Sequence, residues 1–202
     1  ARMIRAKNIA VELCQLHLED NDSVSEMCNS FSKDNMPDIL INNAAIAQKK
    51  DFLELTSQEW DRVLFANLRA PFQLCQAVIP SMKQKGWGRI VNISSIGGQW
   101  GGVHQVHYAA SKAALINLTR SLAKLYSKDG IVSTAIAPGV IDTQMTRKSL
   151  GLVPEALLSQ IPSGRLGTSE EVARAVKYLC SDDAAYLSGT TLNINGGMYF
   201  NS

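Results

Sequence analysis

The chain has 202 residues, 46% of them hydrophobic, and carries 20 basic against 18 acidic side chains for a net charge of +2. That is enough apolar material for one globular domain with a full core. The absence of any Lys/Arg cluster excludes an evident nucleic-acid or anionic-membrane surface, and no apolar run approaches membrane-spanning length or the pattern of a signal peptide.

Taken in order, residues 12–18 have strand character and end at His17 and Leu18. Ser23-Val24-Ser25-Glu26 reads as a capping box opening a helix with Val24, Met27, Cys28 and Phe31 inward. Residues 38–41 form a short buried strand, followed by the turn Asn42-Asn43-Ala44-Ala45. A second capping box, Thr56-Ser57-Gln58-Glu59, starts a long helix through Trp60, Val63, Leu64, Leu68, Leu74, Cys75 and Val78. On it Asn67 and Pro71 are four apart; proline has no N–H to give, so the Asn67 carbonyl is left without its helical partner. Residues 88–95 are an apolar, β-branched run ending in Ser94 and Ser95, which reads as a buried parallel strand. A loop with Gly97, Gly98, Trp100, Gly101, Gly102, His104 and His107 leads to a helix over residues 109–126 carrying Leu115, Leu118, Leu122 and Leu125. Residues 131–137 are the next buried strand, closed by Pro138-Gly139. Periodicity then fades from Gln144 to Arg165 except near Leu157, Leu158 and Ile161. Thr168-Ser169-Glu170-Glu171 caps a helix with Val172, Ala173, Val176, Leu179 and Cys180 inward, and residues 191–194 form a last strand before Asn195-Gly196-Gly197.

Strands alternating with helices imply an α/β fold: a doubly wound parallel sheet in three layers, with ligands at the carboxyl ends of the strands. The four cysteines, Cys14, Cys28, Cys75 and Cys180, lie in apolar patterns without C-x-x-C spacing. They read as reduced core thiols in a reducing compartment, cytoplasm or organelle matrix. No metal-ligand spacing occurs, so no metal is expected.

The chemistry concentrates around Ser95, Tyr108 and Lys112. Tyr108 and Lys112 are four apart on a helix and share a face. A phenol titrates near pH 10, too high for ready exchange at neutral pH. An ammonium about 5 Å away, at an effective dielectric of about 20, favours the phenolate by roughly 3 kcal/mol, about two pKa units. Ser95, ending the neighbouring strand, can donate to the same substrate oxygen. A Ser/His hydrolase fits less well, because no G-x-S-x-G elbow surrounds Ser94 or Ser95 and Tyr108 and Lys112 are left idle.

Ser95 with Tyr108-Ala109-Ala110-Ser111-Lys112 resembles the catalytic motif of the short-chain dehydrogenase/reductases, including its serine-to-tyrosine interval. Asn42-Asn43-Ala44-Ala45, Ala66-Asn67-Leu68 and residues 138–143 match too, and the ending Asn193-Ile194-Asn195-Gly196-Gly197-Met198-Tyr199 is similar to the 3-oxoacyl-carrier-protein reductase branch. The resemblance implies one Rossmann-like domain over residues 1–202, with residues 144–166 as a mobile lid over the substrate. It also implies a missing front: the Gly-rich phosphate-binding turn of the first β-α-β unit, on the order of forty residues, is expected ahead of Ala1. Catalytic roles fall on Asn67, Ser95, Tyr108 and Lys112, with a water on the Asn67 carbonyl relaying protons to the lysine.

By the same resemblance, Asn42 ties strands together, while Asn43, Ala44, Tyr108, Lys112, Pro138, Gly139, Ile141 and Thr143 line the cofactor. Ala45 stands where the family usually has glycine. His17 and Leu18 lie near the adenine, although a solvated strand-end histidine is an equal reading of His17. Candidate substrate contacts are Ser95, Trp100, His104, His107 and Tyr108. The cofactor is taken as NADP(H) in preference to NAD(H).

The implied reaction is reduction of a 3-oxoacyl thioester, free or on an acyl carrier, by a homotetramer or homodimer. Ala66, Ala70, Ala109, Ala110, Ala113 and Ala114 would let helices pack closely, within one subunit or between two. Two positions where such reductases carry arginines for the acidic carrier are Gly86 and Asp129, with Lys85 and Lys128 adjacent. Alternatives are a sugar, polyol or other small carbonyl substrate, or a non-catalytic scaffold if the cofactor turn is truly absent.

Overall fold

A computed structural model describes residues 10–31, 36–150 and 155–200. Among them a four-stranded, wholly parallel sheet runs in the order β1 (Ile39–Asn42), β2 (Gly88–Ile93), β3 (Ile131–Pro138), β4 (Thr191–Ile194). Parallel neighbours need long crossovers, and each is helical: α2 (Ser57–Leu64) and α3 (Ala70–Lys85), then α5 (Val106–Tyr126), then α8 (Ser169–Leu179). A short α4 (Gly97–Trp100) precedes α5, while α6 (Gln144–Leu150) and α7 (Glu155–Leu158) precede α8. Ahead of the sheet lies α1 (Asn21–Ser30), which packs on α3.

Alternation along each strand divides the core in two. On one face Ile90 and Ile131 meet Cys75, Val78, Ile79 and Met82 of α3 and Leu122 of α5. On the other, Val91, Ile93 and Ile136 meet Leu179 of α8, with Val172 and Val176 packed alongside. This is the three-layer doubly wound arrangement expected from the sequence. Polar groups lock it as well: Asn42 Nδ2 donates to Asn92 Oδ1 (2.8 Å), Asn92 Nδ2 to Thr119 Oγ1 (2.8 Å) and Thr119 Oγ1 to Leu115 O (2.9 Å). Asn42 and Asn92 are thus partnered within the core, which avoids the cost of an orphaned polar group there.

Both capping boxes at Thr56 and Thr168 form, with reciprocal bonds to Glu59 and Glu171. Ahead of Pro71 the helix loosens into a π-helical turn, Phe65–Arg69, where the Ala70 N–H reaches Phe65 O. A proline that cannot donate accounts for the disrupted ladder.

Several expectations need correction. Residues 12–18 are not a strand; this stretch is irregular and ends in a turn closed by Asp20 N donating to His17 O (3.0 Å). A strand needs a partner for its backbone groups, and among the described residues β1 is the sheet edge. For the same reason β1 is not fully buried: Ile39 and Ile41 are 41% and 44% exposed. Helix α1 starts at Asn21, capped by Asp20 rather than by Ser23, whose hydroxyl accepts from His17 N (3.0 Å). Cys75 alone is a buried thiol, and burial pushes it up to about 12; Cys14 is exposed, and Cys28 and Cys180 are half-buried. In α8 the exposed Ala173 points away from the core and Ala175 packs in its place. Leu125, read as part of the α5 stripe, is exposed.

At the amino edge of the sheet, Gly86 closes α3 in the left-handed region (φ +64°) and a Cβ on Gly130 would lie 1.9 Å from the Gly86 carbonyl. The chain therefore needs bare backbone at these two positions. Lys85 pairs with Asp38 and Asp129 with Lys83, beside the loops that open β2 and β3.

Candidate active site

Because all four strands are parallel, their carboxyl ends share one edge. Asn43 and Ala44 follow β1, Ser94 and Ser95 follow β2, Gly139 follows β3 and Asn195 follows β4. Helix α5 begins beside the end of β2, and two bonds stitch them together: Ser94 Oγ donates to Lys112 O (2.8 Å) and Lys112 Nζ to Ile93 O (2.7 Å). Tyr108 and Lys112, one turn apart, thus stand against Ser95.

Ser95 Oγ accepts from Gly97 N (3.1 Å), and Ser95 and Tyr108 line the same cleft. Lys112 Nζ lies over the Tyr108 ring, 5.6 Å from its centroid. Lys112 is only 2% exposed, and desolvation pulls it down to about 8. Burial raises the Tyr108 phenol above its ordinary value, opposed by the neighbouring Ser95 hydroxyl. The expected depression of the Tyr108 pKa by Lys112 is therefore not present. The ammonium faces the ring and the Ile93 carbonyl, and loss of water disfavours both charged forms. A phenol in this state is protonated at neutral pH, the form required of a proton donor.

Asn67 is 1% exposed and fully engaged through its side chain. Its Nδ2 donates to Ile46 O (2.9 Å) and Ser111 Oγ (3.1 Å), and its Oδ1 accepts from Ile46 N (2.9 Å). Ser111 Oγ in turn donates to Tyr108 O (2.7 Å). Asn67 thereby joins the π-helical turn, the segment after β1 and the first turn of α5. Ser94 and Ser111 were not singled out in the sequence; their positions one before Ser95 and one before Lys112 were the available signal.

A cleft of about 670 Å³ opens over Ser95 and Tyr108, lined also by Ala47, Lys49, Gln105, Gly139, Val140, Met145, Thr146 and Leu157. Met145 and Thr146 come from α6, in the stretch where periodicity fades, and Leu157 from α7, on the short patch excepted from that fading; residues 151–154 lie outside the described part. Three expected substrate contacts do not line this cleft. His107 is 0% exposed, because it shares the i, i+4 stripe of Ser111, Leu115 and Thr119 that faces the core. His104 is exposed and its Nδ1 pairs with Asp51 Oδ1 (3.1 Å). Trp100, at the end of α4, packs edge-on against Tyr199 with centroids 6.0 Å apart.

The rim can hold the nicotinamide and ribose end of a dinucleotide. Asn43 and Ala44 present exposed, compact surface, and Pro138, Gly139 and Ile141 are half-buried at the end of β3. Ile93 O takes one of the three Lys112 protons, which leaves donors suited to ribose hydroxyls. Thr143 Oγ1 accepts from Thr146 N (3.2 Å) and so caps α6. His17 is exposed and Leu18 half-buried in a turn rather than at a strand end, with the His17 ring against Gln15 (2.9 Å). Among the described residues no group of three or more His, Cys, Asp or Glu converges, and no helix is long and apolar enough to cross a membrane.

Gly98 fixes how α4 meets α5. A Cβ there would lie 2.7 Å from the Lys112 carbonyl carbon and 2.8 Å from Ala113 N, contacts that backbone cannot relieve. Gly98→Ala is expected to lower stability by about 1–3 kcal/mol in a thermal melt and to cut turnover by shifting Lys112. An unchanged melt with full activity would contradict this packing.

A doubly wound parallel sheet with Ser, Tyr and Lys converging at its carboxyl edge defines a class of nucleotide-dependent α/β proteins. Residues 3–199 match the family model described as enoyl-(acyl carrier protein) reductase. The chain is 40% identical over 200 residues to 3-oxoacyl-[acyl-carrier-protein] reductase of Pseudomonas aeruginosa, covering 98% of this chain and 81% of that protein. It is 46% identical over 168 residues to acetoacetyl-CoA reductase of Rhizobium meliloti, covering 81% and 68%. A solved structure assigned to an NAD(P)-dependent gluconate 5-dehydrogenase of Beutenbergia cavernae, with NADP at low occupancy, superposes with a TM-score of 0.92 at 32% identity, covering 98% of this chain and 80% of that one. The chain belongs to the short-chain dehydrogenase/reductase family. It spans roughly two-thirds to four-fifths of the length of these relatives.

Proposed function

We propose that this protein is an NADP(H)-dependent oxidoreductase that reduces a 3-oxoacyl thioester to the 3-hydroxyacyl form. The observation that carries the reading is that Ser95 and Tyr108 line one cleft, with Lys112 buried against the Tyr108 ring. The likeness to two thioester reductases supports this substrate class.

The nicotinamide cofactor supplies the hydride when bound. Tyr108 gives its proton to the substrate oxygen, and Ser95 donates its hydroxyl to the same oxygen. Lys112 holds the ribose hydroxyls and supports the charge left on Tyr108. Asn67 fixes the first turn of α5 through Ser111 and Ile46, and its backbone carbonyl lies where Pro71 cannot donate. Asn43, Ala44, Pro138, Gly139, Ile141 and Thr143 flank the cofactor, and α6 with α7 forms the lid.

Assembly as a homotetramer or homodimer is part of the same reading. Ala66, Ala70 and Ala109 are buried within the chain and so pack helices inside one subunit. A second reading, oxidation of a small sugar acid, is favoured by the 0.92 TM-score neighbour.

The test compares acetoacetyl-CoA with NADPH or NADH against gluconate with NADP⁺ or NAD⁺. We expect kcat/KM for acetoacetyl-CoA to exceed that for gluconate by more than about 100-fold, with NADPH preferred. A preference for gluconate would overturn the thioester assignment.

A further inference from the structure

His107 is enclosed and has no task in the chemistry described above. It is 0% exposed, and neither ring nitrogen has a hydrogen-bond partner among the described residues. It is the second residue of α5, one before Tyr108 and one turn ahead of Ser111. Ser111 ties this turn down, donating to Tyr108 O (2.7 Å) and accepting from Asn67 Nδ2 (3.1 Å).

The charge that acts on His107 comes from α2, which packs against α5: it is the Glu59 carboxylate, held at about 2 and so ionised. That carboxylate is already engaged at both oxygens. Oε2 accepts from Thr56 N and Thr56 Oγ1 (both 3.0 Å), and Oε1 accepts from Gln48 Nε2 (2.6 Å) with Lys50 Nζ 3.6 Å away. The remaining charged groups around this turn are turned elsewhere. Lys50, from the segment after β1, faces Glu59; Lys112, on α5 itself, donates to Ile93 O; His104, ahead of α5, is exposed and paired with Asp51. Gln48 Oε1 is buried without a hydrogen-bond partner as well. Burial lowers the His107 pKa from its ordinary 6.5, and Glu59 opposes this only in part.

We propose that His107 is a positioning residue for proton transfer: as a neutral, enclosed ring it holds the first turn of α5, and with it Tyr108, in place, and a proton on the ring releases that turn. A charged ring has one anion to turn to, Glu59. Reaching it means competing with Gln48 and Lys50, which would loosen the segment whose Ala47 lines the cleft. The proposal rests on the oxidoreductase reading, in which Tyr108 is the acid. Above pH 6.5 the ring is neutral in both folded and unfolded chains; below it the unfolded chain takes a proton that the native one resists, so stability falls as pH falls.

The experiment follows kcat and KM against pH for acetoacetyl-CoA with NADPH, in the full chain and in His107→Ala and His107→Asn. Wild type should show an acid limb in kcat below pH 6.5 with KM within about twofold. His107→Ala, which frees the turn, should lower kcat about tenfold or more at neutral pH, again with little change in KM. His107→Asn supplies a donor and an acceptor but takes no proton. It should restore most of the kcat lost in the alanine variant and show no acid limb. The chain has three histidines, so the His107 ring signal can be assigned by NMR and should stay neutral at pH 6.5 and somewhat below. A wild type without the limb, a limb kept in His107→Asn, or a His107 ring already charged at pH 6.5 would each overturn the proposal while leaving the oxidoreductase reading standing. Should the variants not fold, the ring titration and the wild-type limb decide. A wild type inactive on acetoacetyl-CoA would count against the thioester reading instead, and the ring titration with the melts of wild type and His107→Asn, expected to diverge below pH 6.5, would still decide on His107.

Discussion

Tyr108→Phe is expected to reduce kcat by about 10²–10⁴-fold, the usual worth of a positioned general acid, with KM changed only a few-fold. The substitution removes one hydroxyl from a half-buried side chain and leaves the ring against which Lys112 packs. Its effect on stability should therefore be about 1 kcal/mol or less. Steady-state oxidation of NADPH, read together with a thermal melt, checks both halves. Turnover within tenfold of wild type in a folded variant would remove Tyr108 from the proton path.

Lys112→Met is the second, and its signature is in pH as well as in rate. Burial holds the Lys112 amine at about 8, against 10.5 in an unfolded chain. Between those values the unfolded state binds more protons, so stability rises with pH from about 8 to 10.5 and is flat below. The sign is opposite to that of a lysine gaining an anionic partner. At pH 7 the native protein carries a buried cation whose desolvation is offset only in part by the Ile93 carbonyl and the Tyr108 ring. The methionine variant should match wild type at pH 7 within about 2 kcal/mol, lose the alkaline rise, and lose nearly all turnover. Wild-type reduction should itself fall as pH climbs through about 8, where the ammonium is discharged. A melt profile for Lys112→Met that still rises over this window would assign the titration elsewhere.

What could be read from the chain followed how local each signal was. The boxes at Thr56 and Thr168 are complete within four residues and form as expected. The run ending in Ser94 and Ser95 announced a buried strand by its apolar character, and its strand, Gly88–Ile93, is buried throughout. Tyr108 and Lys112 were legible as a pair because helical spacing alone sets their shared face. His107 was assigned to the cleft from its place in the glycine-rich loop, but α5 starts at Val106 and captures it. Counting in fours from Leu115 back through Ser111 reaches His107 and would have sent it inward. Residues 12–18 failed for a different reason. Strand propensity describes a surface awaiting a neighbour, and in the structure no described strand pairs with them. The cleft wall at Met145 and Thr146 was opaque because α6 is short and its inward face depends on what it covers, whereas Leu157 stood on the one apolar patch legible in that stretch.

The paired bonds between Ser94, Ile93 and Lys112 also carry an evolutionary implication. They rivet the floor of the cleft into a single unit, so distances among Ser95, Tyr108 and Lys112 have little freedom to follow a change of substrate. Among the described residues the roof, built from α6 and α7, bears no such rivet to the floor. Transplanting those pieces between relatives would then exchange substrate preference while the proton-transfer apparatus stays intact, making them modular parts upon a fixed chassis.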